Sequence, residues 1–134
     1  DFNADTIMDI AVANVGGLSY TILIGNGLGG FAAPATVSIG YNTSTVAVGD
    51  LNNDGKPDLV LTSAAATGPF ILLGTGTGTF GLPTTFASAS GPSDARIADL
   101  NNDGKADIIV SNTSTNNISV LLGNGTGIFA APVN

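Results

Sequence analysis

The chain has 134 residues, 43% of them apolar, with 19 glycines and no cysteine. That is one domain with enough apolar material for a core, which excludes wholesale disorder, a disulfide framework and a thiolate metal site. The net charge of −7, with only Lys56, Arg96 and Lys105 as basic residues, excludes the basic footprint that nucleic acid or an anionic membrane requires.

The first element is an acidic loop, "DFNADTIMD" at residues 1–9, which returns as "DLNNDGKPD" at 50–58 and "DLNNDGKAD" at 99–107. All ten acids are Asp, and only Asp94 lies outside these nonapeptides. No signal-peptide pattern precedes Asp1, and a chain that opens inside a motif has the look of a mature or trimmed product. The apolar runs are too short and interrupted to insert in a membrane.

The spacing of Asp1, Asp50 and Asp99 sets a repeat of 49 residues without insertion. Gly25, Gly74 and Gly123 fall in the same register, as do Phe31, Phe80 and Phe129, and Pro34, Pro83 and Pro132. The second unit is the clearest. "TVAVGD" enters the loop, "DLVLTS" leaves it, "PFILLG" follows, and a Gly-rich turn leads into a polar outer strand, "LPTTFAS". The second and third strands are apolar at consecutive positions, the mark of a strand covered on both faces. Four short antiparallel strands per unit, covered by neighbouring units, predict an all-β fold of β-propeller blades. A β-sandwich with accidentally similar hairpins is the alternative, and the strict register counts against it. The repeats divide as 1–44 (lacking its first strand), 45–93 and 94–134 (outer strand truncated). Closed propellers have roughly four to eight blades, so fewer than three full units make an incomplete ring.

Each nonapeptide places oxygen-bearing side chains at positions 1, 3, 5 and 9. Calcium takes six to eight oxygens from carboxylates, amides, carbonyls and water, whereas magnesium demands a stricter octahedron and keeps its waters. The expected ligands are Asp1, Asn3, Asp5 and Asp9; Asp50, Asn52, Asp54 and Asp58; and Asp99, Asn101, Asp103 and Asp107. The backbone carbonyls of Ile7, Lys56 and Lys105 would add position 7, giving up to three Ca2+ ions, one per loop. Glycine at position 6 permits the turn in loops two and three, while loop one has Thr6 there. The EF-hand's closing Glu at position 12 is absent, replaced by Val12, Leu61 and Val110. A solvated Asx turn is the plainer reading, but it leaves the focused like charges unbalanced.

"VAVGDLNNDGKPDLVLTS" and "ARIADLNNDGKADIIVSN", each followed by a Gly-rich turn ending in Phe, resemble the FG-GAP / VCBS repeat family, the calcium-loop blades also found in integrin α-subunit heads. The resemblance implies a propeller, a structural calcium ion, and roles in adhesion, cell-surface architecture or carbohydrate contact. "VAN", "TSA" and "SNT" stand where the integrin form has Gly-Ala-Pro, which does not favour integrin-type ligand recognition.

The resulting expectation is an extracellular, calcium-stabilised structural or adhesive module. It would complete itself by oligomerisation, by filament assembly or through a longer parent chain. Its partners would be other copies of itself, neighbouring blades, a glycan or a cell-surface protein. A lectin-like propeller is the first alternative and a non-catalytic part of a larger secreted enzyme the second. Without His, Cys or Glu, and with its Asp residues in cation loops, the chain itself is not expected to be an enzyme. The Gly-rich turns are hairpins rather than phosphate cradles, since no helix or basic residue accompanies them. The sequons at Asn42, Asn112, Asn117 and Asn124 are candidate glycosylation sites on surface loops. Phe31, Phe80 and Phe129 are expected in the core between blades, with Tyr20 and Tyr41 at the surface.

Overall fold

The computed structural model describes all of residues 1–134 and contains only strands, turns and bends. No helix is long and apolar enough to cross a membrane. Ten strands form three antiparallel sheets in chain order. The first sheet contains β1 (Ile10–Asn14), β2 (Ser19–Leu23) and β3 (Ala35–Ser38). The second contains β4 (Val46–Gly49), β5 (Asp58–Leu61), β6 (Phe70–Leu72) and the short β7 (Thr84–Thr85). The third contains β8 (Pro92–Ala98), β9 (Asp107–Asn112) and β10 (Asn117–Leu121), and Val133, which belongs to no strand, bridges back to Val120 of β10. Every sheet is a meander, so the chain forms propeller blades in an open array.

The middle strands of the second blade read "DLVL" and "FIL", and all seven residues are buried. Alternation divides them between two cores. Leu59, Leu61, Phe70 and Leu72 pack with Phe2, Tyr20, Ile22 and Ala66, between the first and second blades. Val60 and Ile71 pack with Leu51, Ala95, Ile108, Val110, Leu121 and Phe129, between the second and third. Burying an aliphatic side chain of this kind contributes about 1.5–3 kcal/mol, so contacts between blades supply much of the stability.

The aromatic expectations divide. Phe80 lies edge-on to Phe2 at 5.4 Å and to Tyr20 at 6.1 Å, and Phe129 lies edge-on to Phe86 at 5.4 Å. Phe31 is 44% exposed because no blade covers its side of the first sheet. Tyr20 is a core residue, and burial raises its hydroxyl above its ordinary pKa. Tyr41 is exposed and tilts against Phe70 at 4.8 Å.

The Gly-rich turn folds back on the acidic loop of its own blade. A Cβ on Gly74 would stand 2.1 Å from the Pro57 carbonyl oxygen. That oxygen is backbone and cannot swing away. Gly74→Ala should therefore cost more than about 2 kcal/mol in urea unfolding. Gly81→Ala, whose nearest neighbour would be at 3.6 Å, should cost much less.

Candidate metal centre

The second and third acidic loops join β4 to β5 and β8 to β9, the first leads into β1, and in all three the side chains of the early positions hydrogen-bond the loop's own backbone. In the second loop Asp50 Oδ1 accepts from the Asp54 amide at 3.2 Å, and Oδ2 from the Gly55 amide at 2.8 Å. Asn52 Oδ1 accepts from the Asp54 amide at 3.1 Å, and Asp54 Oδ1 from the Lys56 amide at 2.9 Å. The third loop repeats these bonds through Asp99, Asn101 and Asp103. The first does so through Asp1, Asn3 and Asp5.

Position 6 has positive φ in every loop: 78° at Gly55 and Gly104, and 70° at Thr6. A β-branched residue is strained there, which explains why the first loop is the poorest copy. Thr6→Gly should raise the stability of the chain by about 1 kcal/mol, read from its urea midpoint. A neutral or destabilising result would contradict this account of the loop.

Position 9 differs from the rest. Asp58 and Asp107 are fully buried. Asp58 Oδ2 accepts from the Leu51 amide at 2.8 Å, and Oδ1 from the Gly74 amide at 2.7 Å. Asp107 makes the equivalent bonds to Leu100 and Gly123, and Asp9 to Phe2 and Gly25. This aspartate ties the start of the loop to the Gly-rich turn sixteen residues on. Sequence reasoning assigned it to the ion alone. The constant spacing from Asp9, Asp58 and Asp107 to Gly25, Gly74 and Gly123 was the available signal.

The electrostatics separate these acids. Burial raises the Asp58 carboxyl above the ordinary 3.8 against its two amide bonds, and the nearby Asp54 and Asp50 charges push the same way. The Lys56 amide, with Asn52 and the Lys56 ammonium, holds Asp54 below that value despite some desolvation. At Asp103 desolvation pushes up and is outweighed by the Lys105 amide, Asn101 and the Lys105 ammonium. Lys56 and Lys105 lie 3.3 Å from Asp54 and Asp103. Such exposed pairs contribute little stability.

All the expected ligand residues fall in these three loops, but no three acidic side chains are drawn together as a ready-made cation cage. Their chemistry nevertheless fits a hard cation. The donors are all oxygen, and a carboxylate oxygen bonded to one amide keeps further acceptor capacity. The carbonyls of Ile7, Lys56 and Lys105 accept no hydrogen bond within the chain.

Two of the four candidate glycosylation sites, Asn112 and Asn117, lie in strands rather than on surface loops. Asn112 is on β9 and 1% exposed, and its Nδ2, the atom a glycan would take, donates to Ser119 Oγ at 2.8 Å. Asn42 and Asn124 are exposed, and Asn117 is half-buried in β10.

The sequence profile of the FG-GAP-like repeat matches residues 1–61 and 54–110. The chain belongs to the FG-GAP-like repeat family. No curated protein matches it. Among solved structures, this FG-GAP chain is similar to an Agrocybe aegerita lectin studied for its specific recognition of non-reducing terminal N-acetylglucosamine. The identity is 23% and the TM-score 0.70, with 100% of this chain and 36% of the lectin covered. That likeness establishes a shared propeller-type fold, of which this chain spans about a third of the lectin's length.

Proposed function

We propose that this FG-GAP array is a calcium-stabilised, non-catalytic propeller module of an extracellular protein, with a structural or adhesive role. The observation that carries the reading is the threefold loop, in which side-chain oxygens and a free position-7 carbonyl recur in one register. In this reading Asp50, Asn52, Asp54 and the Lys56 carbonyl hold the second ion together with Asp58. Their counterparts, from Asp99 to Asp107 and from Asp1 to Asp9, hold the third and first. Calcium would supply the positive charge that lets the carboxylates share one small space. Asp54→Ala and Asp103→Ala should each lower the number of calcium ions bound per chain by one. An unchanged stoichiometry in both would defeat the loop assignment.

Carbohydrate binding is the second reading. A shallow, open depression of about 310 Å³ is bordered by Ser111, Asn112, Thr113, Asn116, Asn117 and Ile118, an uncharged surface on which Asn116 and Thr113 are exposed. The similar lectin adds a precedent for the fold. Reproducible binding to one sugar class on a glycan array, lost in Asn116→Ala, would favour this reading. A blank array would leave the structural role.

A further inference from the structure

The Gly-rich turns of the first and third blades carry an Asn-Gly pair, at Asn26-Gly27 and Asn124-Gly125, where the second has Thr75-Gly76. Both asparagines are exposed, and each caps its turn with its side-chain oxygen. Asn26 Oδ1 accepts from the Leu28 amide at 2.9 Å and from the Gly30 amide at 3.0 Å. Asn124 Oδ1 accepts from the Thr126 amide at 2.9 Å and from the Thr126 hydroxyl at 2.8 Å. The amides of Gly27 and Gly125 donate no hydrogen bond within the chain. Both glycines have positive φ, 72° and 80°, and neither carries a Cβ to crowd an approach.

These features set a nucleophile beside a polarised carbonyl. The free glycine nitrogen follows directly on a carboxamide whose oxygen already holds two donors. When that nitrogen adds to Cγ, negative charge develops on Oδ1, where the donors stand. Fixed donors aimed at such an oxygen stabilise the transition state of acyl transfer.

We infer that Asn26 and Asn124 are autocatalytic deamidation sites, at which the amide nitrogen of the following glycine attacks the asparagine side chain. The N–Cγ bond forms and the glycine N–H proton passes to solvent. The Cγ–Nδ2 bond breaks, and Nδ2 takes up a proton and leaves as ammonia. Water then opens the cyclic imide at either carbonyl, giving aspartate or an isoaspartate whose backbone runs through the former side chain. The aspartate product keeps the capping bonds, since its oxygens are acceptors too. Each conversion adds one negative charge to the −7 of the chain. At position 124 that charge lies in a groove bordered by Asp103 and Lys105 of the third loop.

The Asp-Gly pairs of the acidic loops are the contrast. Isomerisation of Asp54 or Asp103 would use the same attack, but the glycine amides are already committed. Gly55 donates to Asp50 Oδ2 at 2.8 Å, and Gly104 to Asp99 Oδ2 at 2.9 Å. A carboxylate held against the N–H opposes loss of its proton. The fold therefore separates two turns that convert from two loops that do not. The inference does not depend on the calcium or carbohydrate readings above.

The test is incubation of the folded chain in mildly alkaline buffer, followed by peptide mass mapping with separation of aspartyl from isoaspartyl peptides. Conversion should be confined to Asn26 and Asn124 and should quicken as pH rises, with Asp54 and Asp103 unchanged. Thr126→Val, checked by its melting curve, removes the hydroxyl donor and keeps the amide. It should slow conversion at Asn124 several-fold and leave Asn26 as it was. Asparagines that stay intact in the folded chain and convert only in urea would overturn the proposal. So would isoaspartate at Asp54 or Asp103 in the folded chain, or an unchanged rate at Asn124 in Thr126→Val.

Discussion

Asp58→Ala should destabilise the chain by about 3 kcal/mol even in chelator, because it strips the acceptor from two backbone amides at once. An N–H left unsatisfied in the interior costs about 1–3 kcal/mol, and the Leu51 amide is enclosed with its fully buried residue. The cost of burying the Asp58 charge, visible in its raised pKa, offsets part of the loss. Asp58→Asn should fall between, since an amide oxygen can serve one of the two donors. Asp94→Ala, which removes only an exposed pair with Arg96, should stay within about 0.5 kcal/mol. A loss under about 1 kcal/mol for Asp58→Ala would show that the loop and the Gly-rich turn are held together by something else.

The same residue sets the sign of one pH dependence. The folded-state pKa of Asp58 is raised, so without metal its contribution is fully present below the unfolded value near 3.8 and is lost as pH rises through the folded value. Asp54 and Asp103 have lowered values, so their contributions are present above 3.8 and lost as pH falls through their folded values. In metal-free buffer Asp58 should therefore titrate at higher pH than Asp54 and Asp103, which side-chain carboxyl shifts in NMR would follow.

Calcium should raise the melting temperature more than any single substitution lowers it. Extracellular calcium modules bind with Kd of about 10⁻⁴ to 10⁻³ M. A ligand present at about a hundred times Kd stabilises by about 2.7 kcal/mol per site. Two sites together amount to roughly 5 kcal/mol, or roughly 15 °C for a domain of this size. Asp54→Ala should remove close to half of that gain while changing the chelator melting point little, because Asp54 is exposed. A melting point that is the same in calcium and in chelator would rule out a stabilising ion.

Much of the fold was legible in the sequence because the repeat is strict. A 49-residue period with Gly, Phe and Pro in register defines blades, and the consecutive apolar residues of "DLVL" mark strands covered on both faces. What the period hid was difference between copies. Phe31 and Phe129 occupy the same register position, yet one is 44% and the other 7% exposed, since exposure depends on whether a blade stands alongside. Tyr20 has no aromatic counterpart in the other repeats, so nothing in the pattern signalled that it fills the space beside Phe80. Asn112 read as a surface sequon, but β9 carries it inward to Ser119. At the site, the Asp, Asn and Gly positions marked three turns, and the side chains of each hydrogen-bond its own backbone. The bonds of Asp58 and Asp107 to Gly74 and Gly123 depend on a turn sixteen residues away, which local composition does not reveal.

The most direct measurement is a calcium titration of the metal-stripped chain by isothermal calorimetry. Three ions per chain are expected, two bound alike by the loops at Asp50–Asp58 and Asp99–Asp107, and one more weakly by the loop with Thr6. No saturable binding at millimolar calcium would contradict it, and the loops would then stand as hydrogen-bonded turns alone.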